Sequence, residues 1–156
     1  MAIIDDLLED LSNLDTIIET YTSVLNRELK QDVDLKGKTI QLCNQEQPSL
    51  YSYYDQLRVE IEILNDYLEI KVKETKMKVI RLIIGKSDKT YGERMLERMA
   101  DDHPSFLAIQ KKALRTKELY MKARSAVSSF EQRGYALNNI TKIRVAAIQD
   151  TVIFDD

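Results

Sequence analysis

Apolar residues recur every three or four positions along most of the chain, which is the pattern of amphipathic helices. One such stripe runs from Ile4 to Leu25, and a second runs from Leu50 to a stop at Gly85. The polar stretch Gln31–Ser49 between the two is predicted to be a connection that includes a short helix. The members of the first stripe, with Asp and Glu opposite, are Ile4, Leu7, Leu11, Leu14, Ile18, Tyr21 and Leu25. The members of the second are Tyr54, Leu57, Ile61, Leu64, Leu68, Val72, Val79 and Leu82.

A third stripe predicts a very long helix that begins near Pro104. Asp101 and Asp102 precede it, and carboxylates are favourable beside the free N–H groups of a helix start. A turn over residues 86–92 and a short helix around Met95–Met99 are expected before it. The long stripe comprises Phe106, Ile109, Ala113, Thr116, Tyr120, Ala123, Val127, Phe130, Gly134, Leu137 and Thr141. Because so long a stripe exceeds what one small domain buries, it favours packing between copies of the chain in a homo-oligomer.

Composition agrees with a single all-α domain. The 156 residues are 44% hydrophobic and 31% charged, with only 4 Gly and 2 Pro. No apolar run is long enough to cross a bilayer, and Asp5 and Asp6 stand where a signal peptide would be basic, so a cytoplasmic protein that does not enter membranes is expected. The predicted parts are an acidic N-terminal helix (1–26), helices and a loop (50–100), a long packing and oligomerisation helix (104–147) and an acidic tail (148–156).

The net charge of −3 conceals blocks of opposite sign. Residues 71–98 hold nine basic against four acidic side chains, whereas residues 1–34 hold nine acidic against two basic ones. A basic helix repeated around an oligomer would form a track for phosphates. A solvated, lysine-rich helix end, stabilised by the helix dipole, explains the charge equally well. Tyrosines that offer stacking surfaces, or alternatively belong to the core, are Tyr51, Tyr53, Tyr54, Tyr67 and Tyr91.

Motifs for chemistry are weak. Gly85-Lys86-Ser87 resembles the end of a phosphate-binding P-loop, but Ile80 stands where that motif needs Gly and a helix leads into it. Asp101, Asp102 and His103 are better explained as a helix start than as metal ligands. Cys43 lies far from the only His and is expected to serve as a small apolar side chain. We therefore predict a protein that is not an enzyme and needs neither cofactor nor metal.

Three short motifs occur in the order and spacing of a known family. Glu28–Val33 (ELKQDV) is followed by Leu50-Tyr51-Ser52, and Gln132–Leu137 (QRGYAL) is followed by Ile140 and Arg144. Between them stands Lys76-Met77-Lys78. Over residues 25 to 146 the chain thereby resembles the UvsY family of T-even phage recombination mediators, in which a Lys-x-Arg pair at the position of Lys76-Met77-Lys78 is implicated in binding single-stranded DNA.

The resemblance implies an all-helical subunit that assembles through its C-terminal helix into a ring of six or seven copies. The ring would bind single-stranded DNA, weaken the hold of the single-stranded-DNA-binding protein and help a RecA-like recombinase to load during phage recombination and repair. Lys76 and Lys78 would contact phosphates; Arg81, Lys86 and Lys89 are added from charge alone. The oligomerisation residues expected on the C-terminal helix are Val127, Phe130, Gly134, Leu137 and Ile140.

The chain also departs from the family. Lys78 replaces an Arg, which keeps the charge but loses the planar fork, and Ile83-Ile84 stand where the family is more polar. The first 24 residues have no counterpart in it. Two alternatives therefore stay open: a non-catalytic coiled-coil scaffold or assembly chaperone whose lysines only aid solubility, and a small helical nuclease, which the lack of a metal cluster disfavours.

Overall fold

The computed structural model describes residues 13–86 and 91–153, with side chains up to residue 147, and over these ranges the protein is all-α, as predicted. Ile4, Leu7, Leu11, Lys89 and the side chains of the tail 148–156 lie outside the described residues. None of the described helices is long and apolar enough to cross a membrane. The four helices are α1 (Leu14–Val33), α2 (Ile40–Lys86), α3 (Glu93–Asp101) and α4 (Pro104–Ile153).

The helices contribute to two compact units. The first unit takes α1 up to Tyr21 and the segment Val59–Met121. Its buried side chains confirm the predicted stripes, and the Tyr21 hydroxyl donates to Glu60 at 2.9 Å. Leu82 is an exception, because it is 52% exposed and lines an open pocket instead of filling the core. The apolar core of this unit includes Leu14, Ile18, Ile61, Leu64, Leu68, Val79, Ala100, Phe106 and Leu119.

The second unit takes Thr22–Arg58 and α4 from Lys122 onward. Tyr54 is fully buried at its centre, stacked on Phe130 with ring centroids 4.6 Å apart, and its hydroxyl donates to Asp32 at 2.9 Å. Tyr53 meets the Tyr54 ring edge-on. Aromatic stacking thus joins α2 to α4 here, where the sequence predicted only stripes. The other buried apolar residues are Leu25, Cys43, Leu57, Ala123, Ala126, Val127 and Leu137.

The connection between α1 and α2 is shorter than predicted. The turn lies between Val33 and Ile40 and contains Gly37, whose φ of 73° suits a residue without a Cβ. The Thr39 hydroxyl then accepts the Leu42 N–H at 3.2 Å and caps α2, which begins ten residues before Leu50. Pro48, near the end of the predicted connection, lies inside α2. The prediction was wrong because the polar side chains around Pro48 have tertiary partners that keep this turn helical.

Helix α4 begins at Pro104 as predicted, but its cap differs from the expectation. His103 Nδ1 accepts the Ser105 N–H at 3.2 Å, and the His103 carbonyl accepts the N–H of Phe106 at 3.0 Å. The side-chain cap is therefore His103, whereas Asp101 ends α3 and faces Lys76. The direct backbone turn between α3 and α4 brings the histidine to the capping position.

Candidate nucleic-acid interface

The basic segment of the sequence forms the C-terminal third of α2. Leu68 and Val79 are buried on the inner side of this part of the helix, so its charged side chains are left to the solvent side and the edges. The six described cations between residues 71 and 86 are accompanied by one acid, Glu74. They approach the carboxyl end of α2, where the helix dipole is negative and favours positive charge.

Three of the predicted DNA-binding residues are exposed. Lys78, Arg81 and Lys86 all face solvent, and among the described residues they have no ion pair or hydrogen bond through their side chains. Lys78 and Arg81 are neighbours on the helix surface, because residues three apart lie one turn along the same side. Because they are exposed and have no ion pair in the described part of the chain, these cations are available to an external anion.

Lys76 is placed differently. Its Nζ lies 2.7 Å from Asp101 Oδ1 and 5.7 Å above the ring of Phe106, and the side chain is only 31% exposed. The ion pair joins α2 to the end of α3 within the first unit. Lys76, one of the two positions that the resemblance puts first, therefore already has a partner inside the chain.

Lys71 is also paired, with Glu74 at 2.9 Å. This hydrogen bond raises the pKa of Lys71 and lowers the pKa of Glu74, on which the nearby Lys78 has a smaller effect of the same sign. The pair is exposed to water, so it contributes little to stability. It does remove one cation from the positive surface at the start of the segment.

A pocket of about 300 Å³ lies beside Lys86, the last of the exposed cations. It is open to solvent and mostly apolar, and the side chain of Lys86 forms part of its wall. Its volume is at the lower end of what small ligands occupy, which suits one flat ring system. Tyr91 gives the pocket an aromatic surface. The lining residues are Leu82, Ile83, Lys86, Tyr91, Met99 and His103.

The other tyrosines are not part of this surface. Tyr54 belongs to the core of the second unit, and Tyr51 and Tyr53 are partly exposed there. Tyr67 lies beneath Lys71, whose Nζ is 5.2 Å from the ring centroid. Of the five tyrosines proposed for stacking, only Tyr91 lines a pocket together with one of the exposed cations, Lys86.

The residues predicted for oligomerisation mostly have partners inside their own chain. Val127, Phe130 and Leu137 are buried in the second unit, whereas Ile140 is 38% exposed. A Cβ on Gly134 would lie 3.2 Å from Gln47 Nε2, so α4 approaches α2 closely at this glycine. Contact of these residues with another subunit stays a prediction.

Sequence reasoning missed the buried Arg133 and its partner Gln47. The Arg133 side chain is 1% exposed, and Nη1 donates to the Cys43 carbonyl at 3.4 Å and to the Gln47 side chain. Gln47 in turn donates to the Phe130 carbonyl at 2.7 Å. Arg133 lies three residues after Phe130 and four before Leu137, so the spacing alone places it on the buried face. It was missed because a charged side chain is normally expected on an exposed face.

No family model, curated protein or solved structure matches this chain. The candidate interface therefore depends on the geometry of its own residues, and the UvsY resemblance stays a hypothesis based on its short motifs. In the part of the chain that the structure describes, no cluster of His, Cys, Asp or Glu is arranged to hold a metal ion.

Proposed function

We propose that the protein binds single-stranded DNA through the exposed cations at the carboxyl end of α2. The observation that carries the proposal is that Lys86, the last of three exposed cations with no ion pair within the described chain, lines a pocket together with Tyr91. The other two cations, Lys78 and Arg81, precede it on the same helix. Cations neutralise phosphates and release counterions, which supplies affinity without regard to sequence. The aromatic ring of Tyr91 beside Lys86 offers a surface for a base.

The pocket favours a single strand over a duplex. A base enters a side pocket only when it is unstacked and unpaired, a condition that single strands meet at low cost and duplexes do not. Lys86 is both a cation of the basic surface and part of the pocket wall, so a phosphate and its neighbouring base would be held at adjacent positions. This arrangement suits a binder that tolerates any sequence.

We further propose that the protein acts as a recombination mediator without catalysing a reaction. In this role it would help a RecA-like recombinase to load in place of the single-stranded-DNA-binding protein. The support is the UvsY resemblance, in which Lys76-Met77-Lys78 falls at the position of a DNA-binding pair. Assembly into a ring of six or seven copies would repeat the surface and raise the avidity for a long strand.

One specific observation favours the coiled-coil scaffold or assembly chaperone as second candidate. Large apolar side chains lie exposed on the outer side of α4, where a partner helix would cover them. In the first unit they include Leu107, Leu114 and Met121, with exposures of 49%, 62% and 55%. A scaffold of this kind would need no affinity for nucleic acid.

Fluorescence anisotropy with labelled oligo-dT and with a duplex of equal length tests the proposal. We expect tighter binding of oligo-dT than of the duplex, with an affinity that falls steeply as salt rises from about 50 to about 200 mM. Absence of oligo-dT binding at the lowest salt would overturn the DNA-binding proposal and leave the scaffold. If binding occurs, recombinase loading on covered single strands tests the mediator role, which a lack of stimulation would contradict.

A further inference from the structure

The outer face of α2 carries an evenly spaced apolar stripe in the first unit. Four of its members are seven residues apart, and all five are large side chains that the core of the chain leaves exposed. Seven residues correspond to two helical turns within about 20°, so these side chains form one nearly straight row about 38 Å long. They are Val59 (39% exposed), Ile63 (48%), Ile70 (54%), Met77 (53%) and Ile84 (54%).

A row of this kind is the surface that a second helix covers. Heptad spacing of apolar residues brings two helices together side by side over many turns, and water contact with the row is unfavourable when it is left open. Asp66 and Lys73 lie within the same row, each three or four residues from Ile70. Both are exposed, and each therefore constrains what can lie opposite.

The charge along α2 changes sign at Ile70. Residues 60–69 hold four acidic and no basic side chains, whereas residues 70–86 hold six basic and one acidic side chain. Two α2 helices in parallel register would place acid against acid and base against base. An antiparallel pair places the acidic half of each against the basic half of the other. The helix is therefore complementary to a second copy of itself in one orientation only.

We propose that a second copy of this chain covers the stripe, with the two α2 helices antiparallel about a two-fold axis at Ile70. Ile70 then meets its own counterpart, Ile63 meets Met77 of the second copy, and Asp66 lies beside Lys73. Such a self-complementary contact is the commonest form of homo-oligomer interface. It is distinct from the proposed contacts of the C-terminal helix, and it does not depend on DNA binding.

Cysteine cross-linking in the absence of nucleic acid tests both the pairing and its orientation. In a Cys43→Ala background, Ile70→Cys is expected to form a disulfide-linked dimer under mild oxidation, because the two-fold axis places the two sulfurs together. Ile63→Cys and Met77→Cys are each expected to stay monomeric alone. A mixture of these two variants is expected to cross-link.

Ser105→Cys serves as control, since it introduces an exposed thiol of similar size on α4 of the same unit. Cross-linking of Ile70→Cys no faster than this control would overturn the pairing. Self-linking by both Ile63→Cys and Met77→Cys would show a parallel pair instead. Circular dichroism of each variant verifies that the helices are intact, and because DNA is absent, failure here leaves the proposed function untouched.

Exchanging the charges of Asp66 and Lys73 gives a second test of the proposed pairing. Asp66→Lys places lysines opposite each other and is expected to reduce cross-linking through Ile70→Cys several-fold. Adding Lys73→Asp to the same chain restores opposite charges in the antiparallel pair and is expected to restore the yield. A double exchange that cross-links as poorly as Asp66→Lys alone contradicts the proposed register.

Discussion

Arg133 shows how a single residue determines the contact of α4 with α2. Its guanidinium is buried beside the Cys43 carbonyl and the Gln47 side chain, and the nearest carboxylate oxygen, on Glu46, lies 3.8 Å from Nη2. Nε and Nη2 have no hydrogen-bond partner among the described atoms. A buried charge held in this way contributes more to the geometry of the contact than to net stability.

Removing this side chain leaves its partners unsatisfied. We expect Arg133→Ala to lower the free energy of unfolding by about 3 kcal/mol, because it opens a cavity and leaves buried polar groups of Gln47 and Cys43 without a donor. Arg124→Ala, at an exposed position of α4, is the control and is expected to change it by less than about 0.5 kcal/mol. Equal unfolding midpoints for the two variants in urea would contradict the structural role of Arg133.

Tyr54 makes stability sensitive to alkaline pH. Burial, and then the hydrogen bond to Asp32, raise the pKa of Tyr54 well above its ordinary value of 10. The unfolded chain therefore releases this proton at a lower pH than the folded chain. Its contribution to stability is complete below pH 10 and is lost as pH rises from there towards the folded pKa.

Tyr54→Phe isolates this effect. At neutral pH the variant is expected to be less stable by about 1 kcal/mol, because the hydrogen bond to Asp32 is lost. The difference from wild type is expected to shrink as pH rises above 10, the ordinary tyrosine pKa, since Phe has no proton to release. Denaturant unfolding at a series of pH values measures this difference in stability. A difference that stays constant with pH contradicts the proposed effect of the Tyr54 hydroxyl.

At the scale of the helices, the periodicity of the sequence predicted the features that depend on residues close together in the chain. The stripes of α1, α2 and α4 and the start at Pro104 follow from spacing and from capping chemistry. The start of α2 was missed, because Pro48 removes one helical hydrogen bond and is unfavourable there by about 3 kcal/mol. Contacts that offset part of this cost, from Gln47 to Phe130 and from Asn44 to Thr141, join residues more than 80 positions apart.

The candidate interface was predictable in the same partial way. Charge along the sequence located the cations, because a lysine-rich helix with a buried inner side must expose them. It did not show which of them are paired, since Lys76 meets Asp101 across a change of helix. Nor did it show the pocket at Tyr91, which exists only where α2, α3 and the residue before α4 come together.

The ion pair of Lys76 leads to a prediction about adjoining elements. Asp101→Asn frees Lys76 and is expected to raise the affinity for oligo-dT, whereas Lys76→Ala is expected to lower it less than Lys78→Ala does. The pair is partly exposed, so either change is expected to alter the free energy of unfolding by less than about 1 kcal/mol. Anisotropy at fixed salt measures the oligo-dT affinity of each variant. A larger loss of affinity for Lys76→Ala than for Lys78→Ala would contradict the prediction.

At the scale of the whole molecule, opposite charges occupy separate stretches of one chain. The basic end of α2 is the proposed contact with DNA, and the apolar stripe, which runs through both the acidic and the basic half of the helix, is the proposed contact with a second copy. Arg81 lies next to Met77 and Ile84 of the stripe, so both contacts approach the same residue. Formation of the proposed pair would therefore affect the positive surface that is proposed to contact DNA.

The salt dependence of oligo-dT binding tests the central claim most directly. For Lys78→Ala with Arg81→Ala, we expect the slope of log affinity against log salt to fall by about 1.4, because each lost phosphate contact on a single strand is worth about 0.7. Arg27→Ala with Lys30→Ala is the matched control, since it removes an exposed Arg and Lys three residues apart on α1. The account predicts a wild-type slope for this control. Equal slopes for wild type and both variants would contradict it.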